Sequence, residues 1–433
     1  MPPLFLRSSF TVWRRAKTRP FALWRNPDFL KLWAGESVSQ IGSWITMVGL
    51  PLTAVLLLKA SPWQMGILSG AGAAAILVFG LFAGAWADRV RRRPILIGAD
   101  LGRAAVLATI PWAAAMHRLS MTHLYVASAA TALLTVLFDV SYQAYLPSLV
   151  STENILEGNS KLALSQSIAG IIGPGLTGVL IQAITAPIAI LFDALSFVGS
   201  ALSLSSIRKP EARPQRASAP HMGREILEGL RASWQEPVLR AILLRRASAF
   251  LCAGLIGSLY FLLAIRELKL TAILLTAVIA VGGVSDTFGA LCAERLVRRF
   301  GVGHTLIGTA VIIGVANLLL PLARGPVWVC AAILAVAQLG DMAWSIYTIN
   351  ELSLRQAITP DHLLGRVNSA MHLVFRGVMP LGSLAGGALA EAAGIRTALF
   401  AGAVGVLLST LCLVFSPVRH IRELPAPRAA TVS

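Results

Sequence analysis

Ionisable residues inside long apolar stretches mark where this chain could do chemistry, because a charge at the centre of a bilayer costs about 2.5–3.5 kcal/mol even on permissive scales. Glu36, Gln40 and Trp44 recur every fourth residue and so share one helix face. That face carries a titratable acid, an amide and an aromatic, a set able to hold a proton beside an organic molecule. A polar stripe between helices is the competing account. Asp139 and Asp341 sit in matching stretches two hundred residues apart. Each is a candidate to carry a proton or line a cavity, while Asp139 equally fits a charge relay with Arg92 or Arg103. Arg376 has no acid nearby in its own helix, so Asp341 or Asp286 is expected to neutralise it. Asp100 and Arg103, three apart, form a local pair. Arg245 and Arg246 open an apolar stretch and are expected to snorkel to headgroups, and Asp193 is expected to serve helix packing.

A second constellation lies in a loop: Gly84, Asp88, Arg89, Arg92 and Arg93. Asp88 ends a helix, where carbonyl dipoles disfavour a carboxylate unless a cation or helix N-terminus answers it. The expected answer is the stretch starting near Arg366, which would make the contact a conformational latch; a solvated loop charge is the alternative. The equivalent acid two hundred residues on, Glu294, is expected to meet Lys161.

Other chemistries find no support. The seven histidines show no HxxxH or HExxH spacing, and Cys252, Cys292, Cys330 and Cys412 form no CxxC pair. A GxxxxGK[ST] phosphate loop is missing as well. Neither metal, bound cofactor nor ATP hydrolysis is expected, and the chain does not read as an enzyme.

The elements that position these residues follow from composition. Of 433 residues 56% are apolar and 13% charged, against roughly 45–50% and 25% in soluble domains. Mean hydropathy is +0.72. The formal charge of +17 would point to nucleic acid in a soluble protein. Here it fits basic loops on one side of a membrane, and no nucleic-acid partner is expected. Twelve stretches near or above 20 residues follow one another, and backbone satisfaction in lipid makes each a helix. The fold class is therefore all-α and polytopic. A basic tail (1–28) precedes six spans (29–204), a polar linker (205–237), six further spans (238–416) and a second tail (417–433). Twenty-seven of the 37 Lys and Arg fall in the tails, the linker and the loops on that side, Arg355 among them, against six in the opposite loops. By the positive-inside rule both termini are cytoplasmic. The N-terminus lacks a compact apolar segment before a small-residue cleavage site, so the first span reads as an uncleaved anchor in the cell membrane.

The two halves repeat one another. GAWADRVRRRP (84–94) matches ALCAERLVRRFG (290–301), and FDVSYQAY (138–145) matches GDMAWSIY (340–347). TENILEGNS (152–160) matches PDHLLGRVNS (360–369), and Gly173, Pro174 and Gly178 match Pro380, Gly382 and Gly387. Parallel repeats of six helices are a transporter architecture. On these residues, and on LWAGESVSQIGSWITMVGLPL in the first span, GADLGRA and FDALSF, the chain resembles the major facilitator superfamily, in the branch of enterobactin exporters and macrolide-efflux pumps. The resemblance implies two bundles rocking about a central cavity and a monomeric secondary transporter exporting an amphiphilic small molecule against protons. An uptake symporter, a lipid translocase and, as a different class, an integral membrane enzyme are the rivals.

Overall fold

A computed structural model describes residues 22–87, 90–211 and 222–424. These residues form helices and connecting turns, with no strand among them. Twelve segments are long and apolar enough to cross a membrane. The first six are α1 (Pro27–Leu56), α2 (Pro62–Ala87), α3 (Arg92–Ala115), α4 (Met121–Leu149), α5 (Ile155–Ile184) and α6 (Ala186–Ser205). A shorter helix, α7 (Met222–Gln235), follows within the linker. Then come α8 (Pro237–Leu262), α9 (Ala272–Phe300), α10 (Val302–Leu322), α11 (Val327–Gln338) with α12 (Gly340–Ile358), α13 (Asp361–Ala393), and α14 (Ile395–Ser409) with the short α15 (Leu411–Val414).

Local sequence explains the starts. The Asn26 side chain accepts hydrogen bonds from the amides of Asp28 (3.1 Å) and Phe29 (3.2 Å), with Pro27 at the first helical position. Ser120 and Thr271 cap α4 and α9 in the same way. The tenth span continues to Ile358, and Leu339 interrupts it between α11 and α12. Glu351 and Arg355 thereby belong to the same helical segment as Asp341.

Among the first six helices the main packing partners are α1 with α5 and α6, α3 with α4 and α6, and α2 with α4. Among the later ones they are α8 with α13 and α14, α9 with α12, and α10 with α12 and α14. The two sets meet where α2 packs on α13 and α8, and where α5 packs on α9. With twelve such segments, the start of α1 and the end of α15 fall on the same side as α7, here the linker side.

The described part of the linker contains a helix. α7 is amphipathic and lies on α13, where Leu230 joins a cluster with Leu239, Leu243, Val367, Met371 and Phe375. Gly229 permits this approach, because a side chain there would run into the Arg366 carbonyl.

The far half of the seam between the two sets is closed by small residues. A Cβ on Gly66 of α2 would lie 2.6 Å from the Ser383 carbonyl oxygen of α13, and one on Gly178 of α5 would overlap Thr276 of α9. Near mid-span, Gly283 lies against the Gly170 carbonyl. Glycine lets backbones approach closely, as small residues do throughout membrane bundles.

Candidate functional site

Where that glycine seam ends, the linker half holds a cavity of about 670 Å³ between the two sets of helices. α2 and α4 contribute Leu77, Asp139 and Gln143 to its wall, and α13 contributes Ser369, His372 and Arg376. Glu225 and Ile226 of α7 line it from the linker. Asp139 and Arg376 are exposed to this space from opposite sides of the seam.

Arg376 therefore does not join the acid expected from sequence. Neither Asp341 nor Asp286 pairs with it among the described residues. Asp341 lies in the first turn of α12, whose main neighbours are α9 and α10, and it lines a different cavity within the later helices. Sequence position sets the depth of these residues, whereas the rotation of α13 turns Arg376 towards α2 and α4.

A second cavity, about 260 Å³, lies among α1, α3, α4 and α5. Glu36, Gln40, Trp44, Arg103, Asp139 and Gln166 are in its lining. The Gln40 amide donates to Glu36 Oε1 at 2.9 Å, while Glu36 Oε2 is buried without a hydrogen-bond partner. Trp44 fits because Gly173 has no side chain; a Cβ there would lie 2.7 Å from the indole. Arg103 pairs with Asp100 and is held between the rings of Phe138 (4.4 Å) and Phe197 (4.0 Å). Cation–π contacts on both faces fix the guanidinium at the cavity edge. Asp139 belongs to both cavities, so it is the point where they join.

In the arginine loop, Gly84 lies in α2, and Asp88 and Arg89 fall outside the described residues. The Arg92 and Arg93 amides open α3 and donate to the Glu211 carboxylate at 2.8 and 3.1 Å, a negative group at a helix N-terminus. The Arg93 Nε donates to the Leu204 carbonyl at the end of α6, 3.0 Å away. Arg366 pairs with Glu228 of α7 at 2.8 Å. Glu294 pairs with Arg298, one turn along its own helix, and not with Lys161, whose ammonium lies 3.3 Å from Glu157.

Arg245 and Arg246 correct a further expectation, since neither snorkels. Arg245 is fully buried with its guanidinium 3.9 Å from the Tyr347 ring centre. Arg246 reaches Glu351 at 2.5 Å and lies against the rings of Phe250, Trp344 and Phe375. Glu351 also faces Arg355 at 3.6 Å. Aromatic walls and one shared carboxylate keep these cations inside the bundle. Sequence reasoning missed Glu351 and Arg355 because they follow the obvious apolar stretch. The signal was their spacing of four, which pairs them on one helix face. Asp193 packs as expected, accepting from the Thr46 hydroxyl.

Twelve crossings in two sets of helices, with a polar cavity between the sets, define a multi-pass membrane transporter of the major facilitator class. The chain belongs to the transmembrane secretion effector family of that class, which it matches over residues 18–430. It is 28% identical to the multidrug efflux pump Tap of Mycolicibacterium fortuitum over 92% of this chain and 97% of that protein. It is 25% identical to macrolide efflux protein A of Streptococcus pyogenes, over 91% of this chain and 97% of that one. Solved transporter structures share the fold, among them the two that follow. The nucleoside transporter NupG has a TM-score of 0.72 at 13% identity, covering 89% of this chain and 98% of its own. A bacterial homologue of the lysosomal transporter Spinster, in an inward-facing unoccupied conformation, has a TM-score of 0.68 at 13% identity, covering 95% and 100%. The protein is thus a transporter and not an enzyme.

Proposed function

We propose that this transporter exports an amphiphilic small molecule, drug-like or siderophore-like, out of the cell by proton-coupled alternating access. The observation that carries this reading is Asp139, an acid shared by the cavity between the bundles and the Glu36–Gln40–Trp44 pocket. A molecule entering from the linker side meets apolar walls at Leu77 and Leu373 and charges at Asp139 and Arg376. Protonation of Asp139 or Glu36 changes the charge of the space it occupies. A ligand and a proton competing for that space are thermodynamically coupled, and each disfavours the other. The efflux relatives support the export direction.

On this reading residues 29–204 and 238–416 are the two bundles, and the basic linker side faces the cytoplasm of a cell-membrane monomer. Arg92 and Arg93, which tie the start of α3 to Glu211 and the end of α6, and Arg366, paired with Glu228 near the start of α13, are the described residues of the latch, while Asp88 and Arg89 lie outside the described residues.

The test is reconstitution. Purified protein in liposomes, given a panel of macrolides, dyes and siderophores on the linker side, should move protons opposite to the transported compound, read by a trapped pH dye. Proton movement in the same direction as the compound would make the protein a symporter. Transport of phospholipid and of no soluble compound would make it a lipid translocase.

A further inference from the structure

Arg245 and Arg246 are neighbours on α8 with opposite surroundings. Arg246 and Arg355 share Glu351, whereas the buried Arg245 forms no ion pair among the described residues. Arg245 is the one without an acid. It is 0% exposed, and apart from the tyrosine on which it stacks, its Nε, Nη1 and Nη2 have no hydrogen-bond partner among the described residues. A buried cation left unpaired is strongly destabilising.

The space beside it offers a remedy. A cavity of about 150 Å³ lies among α8, α10, α12 and α14, away from the seam between the bundles. Arg245 forms part of its wall, together with Asn317, Gln338, Trp344 and Asp341. It lies at the interruption between α11 and α12, and Gly340, the first residue of α12, lines it. Asn317, one of whose amide hydrogens is already donated to the Ile313 carbonyl at 2.8 Å, and Gln338 supply further N–H groups.

We propose that this cavity is a binding site for a small monovalent anion, a halide or a formate-sized carboxylate, held by the Arg245 guanidinium. The volume excludes the amphiphilic substrates proposed for the larger cavity and admits a chloride ion with its remaining water. The Asp341 carboxylate on the same wall opposes the anion, so removing its charge strengthens binding. This site serves the fold of the later bundle and does not depend on what the central cavity transports.

The experiment is thermal unfolding of the purified full chain in detergent at constant ionic strength. Chloride replaces gluconate, an anion too large for the cavity. A ligand that binds only the folded state raises stability with saturation. The wild-type midpoint should rise by several degrees and level off, and Arg245→Gln should show no chloride response. Asp341→Asn, which keeps Arg245, should saturate at a chloride concentration at least threefold below that of the wild type. It carries the test alone if Arg245→Gln fails to fold. Formate in place of chloride separates the sources: a matching rise extends the site to carboxylates, and none restricts it to halides. A wild-type midpoint indifferent to the anion, an equal chloride response in Arg245→Gln, or an unchanged or weakened response in Asp341→Asn would overturn the proposal.

Discussion

Arg366 of α13 pairs with Glu228 of α7 at 2.8 Å, tying the linker helix to the rim of the central cavity. Both side chains are about one-third exposed, so the pair contributes at most about 1 kcal/mol. Apolar packing does more to hold α7. Gly229→Val should therefore detach α7, and hydrogen exchange across 222–235 should rise at least tenfold. Glu228→Gln should produce a smaller rise. Protection unchanged in Gly229→Val would mean that α7 is held elsewhere.

The buried cluster of α8 and α12 should behave differently from that surface pair. Glu351→Gln leaves Arg246 and Arg355 without their carboxylate, at a cost of about 3–5 kcal/mol. Replacing Arg246 by Met at the same time removes one stranded charge, so the double variant should lose less than the sum of the singles. Thermal midpoints of the three proteins check this, and strict additivity would mean that the residues do not interact.

This cluster also shows what the sequence made legible. Length and hydropathy sufficed for twelve crossings, and the repeat sufficed for the class of fold. Glu36, Gln40 and Trp44 were placed on one face by their spacing alone, because one helix fixes their relative rotation. Arg376 was assigned the wrong partner because its neighbours lie on other helices, whose rotation no local pattern records. Arg245 and Arg246 sit near a span end, where long side chains usually reach headgroups. The aromatic walls that keep them inside come from Phe250, Trp344, Tyr347 and Phe375, on three different helices. α7 was hidden by the polar composition around it, although its apolar residues follow helical spacing.

Asp139→Asn should separate transport from its driving force. The amide keeps the size of the side chain and cannot release a proton, so exchange of substrate down its own gradient should persist. Uptake into liposomes driven by a pH gradient should fall at least tenfold. Wild-type response to the gradient would pass the role to Glu36, where Glu36→Gln should then abolish it.

The glycine seam makes a steric prediction. Gly66→Val places side-chain atoms against the Ser383 carbonyl and Gly387, so α2 and α13 must separate on the far side. The linker-open state is weakened, and substrate affinity measured from the linker side should drop at least tenfold, about 1.4 kcal/mol. Unaltered affinity would show that the seam tolerates the volume.

Alternating access requires the bundles to move against each other about the cavity of Asp139 and Arg376. Distances between paired spin labels, on a background with the four cysteines replaced, test this most directly. One pair spans the far side at positions 64 and 388, and the other spans the cavity at positions 143 and 369. Transported drug and a change of pH should populate a longer far-side distance together with a shorter cavity distance, each gaining what the other loses. Distances that stay single and fixed at both sites in protein that still transports would contradict alternating access.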